Sequence, residues 1–288
     1  MSAYLYYPGC SMTSSARAYA ESLAAICAPL GLDLEEINDW NCCGATAAHS
    51  VHHRASIELA GRNLRLAAET RLPEMVVPCP MCFNRLKAAV RAYEGEGRNR
   101  YAVQPGPFIP RISDLANFFA APEMLERVKG KVIRPLTGLK VVSYYGCMAS
   151  RPPEVTEARD PENPRSMDAI MEVLGAEVID WPYKTDCCGA SQQLSRPDMM
   201  AQLVGKLFDM ARKVGAEAVV VSCQMCHANL DMRQERVAAH WGRPLGLPVL
   251  YFTEMIGLAT GLPGAASWLS RHITDPRPLL SGLGLLDG

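Results

Sequence analysis

The chain has 288 residues, a hydrophobic fraction of 49% and a formal net charge of -1, which suits two modest domains or one large one. With 29 basic against 30 acidic residues, no surplus of cations is available to neutralise phosphates, which argues against nucleic acid as a partner. Met1-Ser2-Ala3 leads straight into a strand-like run without the features of a secretory signal, and no run of about eighteen apolar residues occurs, so the expectation is a cytoplasmic chain without a membrane span.

In chain order, Tyr4–Tyr7 reads as a strand. Ala16–Leu30 reads as a helix with Tyr19, Leu23, Ile26 and Leu30 on one face, its last turn unsettled by Pro29. Glu35–Ile37 reads as a short strand, Ile57–Ala68 as a helix and Met75–Val77 as a strand buried on both faces. Tyr93–Arg111, with Gly95, Gly97, Pro105, Gly106 and Pro107, is loop-like. An apolar run from Phe108 then ends at a helix cap, Ser113-Asp114. The order recurs with strand Val141–Tyr145, helix Met167–Leu174, strand Glu177–Ile179, helix Met199–Val214, buried strand Ala218–Val221 and a run from Val249 to a cap at Thr253-Glu254. Alternating strands and helices predict an α/β fold with a small parallel sheet flanked by helices in each half. The boundary is placed near Pro135–Lys140, giving an N-terminal domain 1–136 and a C-terminal domain 137–288. The apolar tail, Leu279, Leu280, Leu283, Leu285 and Leu286, either folds back on the second domain, the default for apolar residues, or docks a partner.

The cysteines carry the chemistry. Eleven is a high count, and in a reducing compartment clustered cysteines point to metal or redox chemistry and not to disulfides. Cys10, then 31 residues, Cys42-Cys43-Gly44, then 34 residues, Cys79-Pro80-Met81-Cys82 is matched by Cys147, 39 residues, Cys187-Cys188-Gly189, 33 residues, Cys223-Gln224-Met225-Cys226. The second copy has eight extra residues in its first gap. Pro8-Gly9 matches Tyr145-Gly146, and Asp39-Trp40 matches Asp180-Trp181. Cys10, Cys79, Cys147 and Cys223 each fall just past a predicted strand, in the crevice where open α/β sheets bind ligands. Cys82 and Cys226 open the following helix, whose positive end favours thiolate. All-cysteine iron–sulfur clusters ordinarily take four thiolates. Structural zinc also takes four ligands and would leave a fifth cysteine over in each half. Cys27 lies outside both copies and reads as a small buried hydrophobe.

This five-cysteine pattern resembles the CCG domain, and its two copies over nearly the whole chain resemble the B subunit of heterodisulfide reductase. The resemblance implies two noncubane [4Fe-4S] clusters, each using five cysteines: Cys10, Cys42, Cys43, Cys79 and Cys82 for the first, Cys147, Cys187, Cys188, Cys223 and Cys226 for the second. It implies the iron–sulfur catalytic subunit of an oxidoreductase, with a small-molecule or protein-bound disulfide reduced between the clusters, or thiols oxidised in reverse. The chain has no C-x2-C-x2-C-x3-C-P ferredoxin run and no G-x-G-x-x-G after a strand. In that family an iron–sulfur C subunit and a flavin-containing A subunit bring the electrons. Two alternatives stand beside this reading. One is a CCG electron-relay subunit of another dehydrogenase, of the glycolate, lactate, glycerol 3-phosphate or thiol:fumarate type. The other is a zinc-binding assembly protein. Among other residues, His49, with His52 and His53 nearby, is a candidate proton donor, though a solvated helix start is the plainer reading. Lys184 is a candidate for holding an anionic substrate, against an ordinary loop lysine. His227 reads as a neighbour of the cluster and not as an iron ligand.

Overall fold

The structure, a computed structural model, describes residues 2–94 and 99–286. Its first half runs β1 (Ser2–Tyr6), α1 (Arg17–Cys27), β2 (Leu32–Glu36), α2 (Ala47–Val51), α3 (His53–Thr70), β3 (Glu74–Val77), α4 (Pro80–Ala92), β4 (Arg111–Asp114), α5 (Leu115–Phe119) and α6 (Pro122–Lys129). The second runs β5 (Lys140–Tyr144), α7 (Pro153–Thr156), α8 (Ser166–Val173), β6 (Glu177–Val178), α9 (Pro197–Lys213), β7 (Ala218–Val221), α10 (Gln224–Asp231), α11 (Gln234–Trp241), β8 (Val249–Tyr251), α12 (Phe252–Ala259), α13 (Ala265–Leu269) and α14 (Arg277–Gly282). Each half is an α/β unit around a parallel four-stranded sheet, ordered β2-β1-β3-β4 and β6-β5-β7-β8.

Strand alternation divides the first sheet's side chains between two layers. Leu5, Tyr7, Met75 and Val77 face Ile57, Leu64 and Leu86 of α3 and α4. Tyr4, Tyr6 and Val76 face the opposite way, into a second core shared with α1, α5 and the whole of the second half. The two halves are therefore fused through one layer.

The helix pairing across that layer follows a rule. α1 packs on α12, and α5 packs on α8. α8 occupies in the second half the place of α1 in the first, between the first two strands, and α12 the place of α5, after the last strand. The contacts are thus related by an approximate two-fold exchange of the halves. Tyr19 stacks on Tyr251 with centroids 4.3 Å apart and planes 2° from parallel. Phe119 meets Phe252 edge-on at 5.8 Å, and the hydroxyls of Ser22 and Thr253 are 2.7 Å apart inside the seam.

Several expected details shift. α1 ends at Cys27, before Pro29. The second expected strand begins earlier, at Leu32, because its whole length pairs with β1 from Ser2 to Tyr6. In the first half Asp114 does cap a helix, accepting from the Asn117 N–H at 3.1 Å. In the second, Thr253 and Glu254 lie inside α12, and Glu254 reaches back to accept from the Tyr251 N–H at 2.8 Å. The loop expected over Tyr93–Arg111 has no regular structure from 101 to 110, while Gly95 and Gly97 lie outside the described residues. The leucine tail folds back: Leu280 and Leu285 are buried in the shared core, with Leu279, Leu283 and Leu286 packed against it. The eight extra residues of the second copy go into α7 and the irregular stretch after it, which lie against α4; Lys87 pairs with Glu157 at 2.6 Å. Among the described residues, no helix is long and apolar enough to cross a membrane.

Candidate functional site

Strand order places the cysteines. In a 2-1-3-4 sheet the chain turns outward in opposite directions after β1 and β3, leaving a crevice at their carboxyl ends where open α/β sheets bind ligands. Cys10 follows β1 and Cys79 follows β3; Cys147 follows β5 and Cys223 follows β7. Cys79 and Cys223 are the residues preceding α4 and α10, and Cys82 and Cys226 lie in the first turns of those helices. The Cys223 sulfur accepts from the Cys226 N–H at 3.5 Å. The Cys-Cys-Gly segments close each crevice from the side. A tyrosine holds each one: Tyr7 donates to the Asn41 carbonyl at 2.8 Å and Tyr144 to the Asp186 carbonyl at 2.6 Å. Trp40 and Trp181 meet these tyrosines edge-on at 5.6 and 6.2 Å.

The sulfurs of Cys43 and Cys82 are 3.3 Å apart, and those of Cys188 and Cys226 are 3.7 Å apart. A disulfide would need about 2.05 Å, and all eleven cysteines are free. Two thiolates on one tetrahedral ion at about 2.3 Å stand roughly 3.8 Å apart; the second pair has that separation and the first is somewhat closer, both too far apart for a disulfide. The remaining sulfurs extend from these pairs. In the first half Cys42 lies beside Cys43 in the chain and acts on its charge, and Cys79 acts on that of Cys82. In the second Cys147 acts on the charge of Cys187, and Cys223 on that of Cys226. Among the described residues, the trio of possible metal ligands whose atoms all lie within 4.8 Å of one another is His227, Asp231 and His272, and no trio of cysteines meets that limit. Five sulfurs spread more widely than one ion's coordination sphere fit a multi-iron cluster better than a single zinc.

Protons are shared unevenly within each quintet. The neighbouring Cys42 and Cys82 thiols, with the Ala45 N–H and the Arg85 charge, hold Cys43 down at about 4. The neighbouring Cys147 thiol, with the Gly189 N–H, holds Cys187 at about 6. Cys79 and Cys188 are lowered by Cys82 and Cys226. Cys42, Cys82, Cys147 and Cys226 are correspondingly raised by those same neighbours and by burial. Part of each quintet is therefore already thiolate at neutral pH, and a metal taking all five would release the remaining protons.

Exposure is polarised in the same way in both halves. Cys43, Cys79 and Cys82 are buried while Cys10 and Cys42 are exposed; Cys188, Cys223 and Cys226 are buried while Cys187 is exposed and Cys147 half-buried. Each quintet thus has a closed floor and an open rim. The Cys10 loop and the Cys147 loop both reach the other half. Met12 sulfur lies 3.2 Å from the Gln224 amide nitrogen, beside Cys223, and Asn84, two residues past Cys82, donates to the carbonyls of Met148 and Arg151 at 3.3 and 2.8 Å. The two quintets flank one seam.

The close approach of the strand-end turns to the sulfurs sets a steric limit. Gly9 and Gly146 have φ of +73° and +67°, and a Cβ there would lie 2.9 Å from the Cys82 sulfur and 2.8 Å from the Cys226 sulfur. Gly146→Ala is expected to cost about 1–2 kcal/mol from the left-handed backbone alone and to displace Cys226. Thermal unfolding reads the first effect and metal content of the anaerobically purified chain the second. Undiminished metal in this variant would mean that Cys226 is no ligand.

His49 is exposed, and its ring accepts a hydrogen bond from Arg85 at 2.9 Å, which leaves it neutral; its pKa is lowered by burial and by Arg85. His52 precedes α3 and accepts from the Ala55 N–H at 3.1 Å, while His53 begins that helix in solvent. Lys184, expected to reach an anionic substrate, is turned inward instead. Its ammonium is 2% exposed and lies 2.7 Å from Asp168 and 2.7 Å from the Asn163 side-chain oxygen. Its carbonyl accepts from the Tyr145 and Gly146 N–H groups at 2.8 and 3.2 Å, so the residue braces the turn that carries Cys147. His227 is buried, stacked on Tyr251 at 4.2 Å and 3.0 Å from His272. Cys27 is buried and its thiol is pushed up to about 12 by burial. Sequence reasoning missed Arg85, whose signal was available: the third residue past C-x-x-C is Arg85 in one copy and Asn229 in the other.

The model of the CCG cysteine-rich domain family matches residues 4–87 and again 141–231, more than half of the chain. Over 279 residues the chain is 29% identical to the 8-methylmenaquinol:fumarate reductase membrane anchor subunit of Wolinella succinogenes, covering 96% of this chain and 98% of that one. It is 26% identical to the B subunit of ferredoxin:CoB-CoM heterodisulfide reductase of Methanosarcina mazei, covering 81% and 80%. It is 25% identical to a protein of Archaeoglobus profundus described as like the B subunit of heterodisulfide reductase, covering 90% of each. A crystal structure of a hypothetical protein from Helicobacter pylori superposes with a TM-score of 0.68 at 10% identity over 94% of this chain, which spans 52% of that chain; the likeness is one of fold.

Proposed function

We infer the function of this chain from its membership: it belongs to the CCG cysteine-rich domain family and is like the B subunit of heterodisulfide reductases. On that footing we propose that it is the iron–sulfur subunit of a multi-subunit reductase. Two clusters, noncubane and [4Fe-4S], would be held by Cys10, Cys42, Cys43, Cys79 and Cys82 and by Cys147, Cys187, Cys188, Cys223 and Cys226. The observation that carries the reading is the pair of sulfur quintets at equivalent crevices, each with two buried sulfurs in close contact but not joined and a more exposed rim. Bound clusters supply one-electron chemistry. The chain's own residues do the rest. The buried sulfurs and the tyrosine-held Cys-Cys-Gly segments fix the floor and exclude water from it. The rim, Cys10 and Cys42 on one side and Cys147 and Cys187 on the other, leaves a face where a sulfur compound can approach.

The reaction we propose is disulfide reduction, or thiol oxidation in reverse, in a heterodisulfide reductase-like complex whose flavin-containing A subunit and iron–sulfur C subunit exchange electrons with this chain. The open rims support it: Cys10 and Cys42 in the first half and Cys187 in the second are exposed, so a sulfur compound can reach each quintet. A second reading has its own support. The near full-length likeness to a quinol:fumarate reductase subunit favours an electron relay in another reductase, with no substrate at the rim.

One experiment separates them. Anaerobically purified protein is assayed for iron, acid-labile sulfide and zinc, then examined by electron paramagnetic resonance with candidate thiols and disulfides. A thiol-dependent paramagnetic signal supports chemistry at the rim; spectra unmoved by every thiol tried, with clusters present, support the relay. Stoichiometric zinc without labile sulfide overturns both.

A further inference from the structure

We infer that the two centres are electrostatically unequal, and that Arg85 makes the first the place where an electron comes to rest. The inference rests on the iron–sulfur reading above and adds a direction to it.

The structure fixes which positions correspond. Asn41 and Asp186 both precede Cys-Cys-Gly, and their carbonyls accept the equivalent tyrosine hydroxyls, Tyr7 and Tyr144. Arg85 and Asn229 both stand three residues past the last cysteine, on α4 and α10. Both correspondences change charge, and in the same sense. The first half has a neutral amide and a guanidinium; the second has a carboxylate and a neutral amide.

Arg85 is half-buried. One of its terminal nitrogens donates to His49 at 2.9 Å and the other to the Asn84 side-chain oxygen. Its Nε is shielded from solvent and has no hydrogen-bond partner among the described residues, sulfurs included. A buried donor without a partner is costly in a folded chain. Arg85 stands one helical turn past Cys82 and bonds His49, five residues past Gly44, so its charge lies beside the first crevice, where it also favours the Cys43 thiolate. In the second half Asn229 gives its amide nitrogen to the Cys188 carbonyl at 2.7 Å, and the Asp186 charge acts on Cys187 in the opposite sense. Arg151, four residues past Cys147, donates to the Thr185 hydroxyl at 3.0 Å, but its charge is offset by its pairing with Glu162, whereas no carboxylate pairs with Arg85 among the described residues. Adding an electron makes a centre more negative, so a fixed cation favours it and a fixed anion opposes it. One electron leaves the second centre and one enters the first, with no proton required of either residue.

The test is a redox titration of the intact anaerobic holoprotein followed by electron paramagnetic resonance, with signals assigned by their loss when Cys43 and Cys82, or Cys188 and Cys226, are replaced by serine. The first centre is expected to reduce at the higher potential. Arg85→Gln is expected to lower the ratio of reduced first to reduced second centre, at a fixed poise, by roughly tenfold, and Arg85→Lys, which keeps the charge but not the planar fork, to restore part of it. Asp186→Asn, at an exposed position where folding is not at stake, is expected to raise the second centre alone. A second centre with the higher potential, or variants that leave both potentials unmoved or move both equally, would overturn the inference. Iron-free protein would overturn the cluster reading instead, and iron analysis of the same samples distinguishes the two failures.

Discussion

Replacing Cys43 and Cys82 together by serine is expected to leave protein purified without oxygen with about half the parent's iron and acid-labile sulfide, because clusters are held by thiolates and a serine hydroxyl does not ionise in their place. These two sulfurs lie 3.3 Å apart on the closed floor of the first crevice, where no exposed residue can substitute for them. The equivalent pair, Cys188 and Cys226 at 3.7 Å, should remove the other half, and the four-serine chain should carry none. The losses should add, since each floor belongs to its own sheet. Cys27→Ser makes the control: it sits outside both crevices, its thiol bonded at 3.1 Å to the Leu23 carbonyl, and iron should stay at the parent's level. Full iron in the first double variant would end the assignment of these ligands.

The second large effect concerns stability. Lys184→Ala is expected to cost about 3 kcal/mol, because it leaves the buried Asp168 carboxylate with only the more exposed Arg165, 3.3 Å away, as its cation. The pair is nearly inaccessible, at 2% and 1% exposure of the two side chains. Loss should extend to the turn at Tyr145 and Gly146, which the Lys184 carbonyl holds. Urea unfolding followed by circular dichroism measures it. Replacing both partners, Lys184→Met with Asp168→Leu, should recover most of the stability, as filling the site with apolar groups removes the desolvation of both charges. A single variant as stable as the parent would show that the buried pair braces nothing.

That pair also marks where local pattern stops being informative. The ten cysteines are legible because adjacent-pair and C-x-x-C spacings carry their chemistry locally. The parallel sheets are legible from Met75–Val77 and Ala218–Val221, whose continuous apolar runs are what a strand covered on both faces requires. Helix limits are readable to within a few residues: the expected Met199–Val214 is Pro197–Lys213 in the structure, and Ile57–Ala68 is His53–Thr70. What local pattern does not encode is which surfaces meet. Lys184 looks like a solvated loop residue until Asp168, sixteen positions earlier on the far side of β6, is brought to 2.7 Å. The helical period puts Tyr19 on the right face, but nothing near it names Tyr251, its stacking partner from the other half. Thr253 reads as a cap because a hydroxyl before a helix commonly is one; its hydroxyl instead lies 2.7 Å from that of Ser22 across the seam.

The reciprocal packing of α1 on α12 and α8 on α5 has the geometry of a closed homodimer joined head to tail in one polypeptide. A single ancestral module would have presented the same oily surface and joined a twin, with two indistinguishable metal pockets bound by symmetry to mutate in step. Covalent linkage lifts that constraint: an arginine can be kept beside one pocket and an aspartate beside the other, so that a once symmetric pair acquires a polarity along which charge can run.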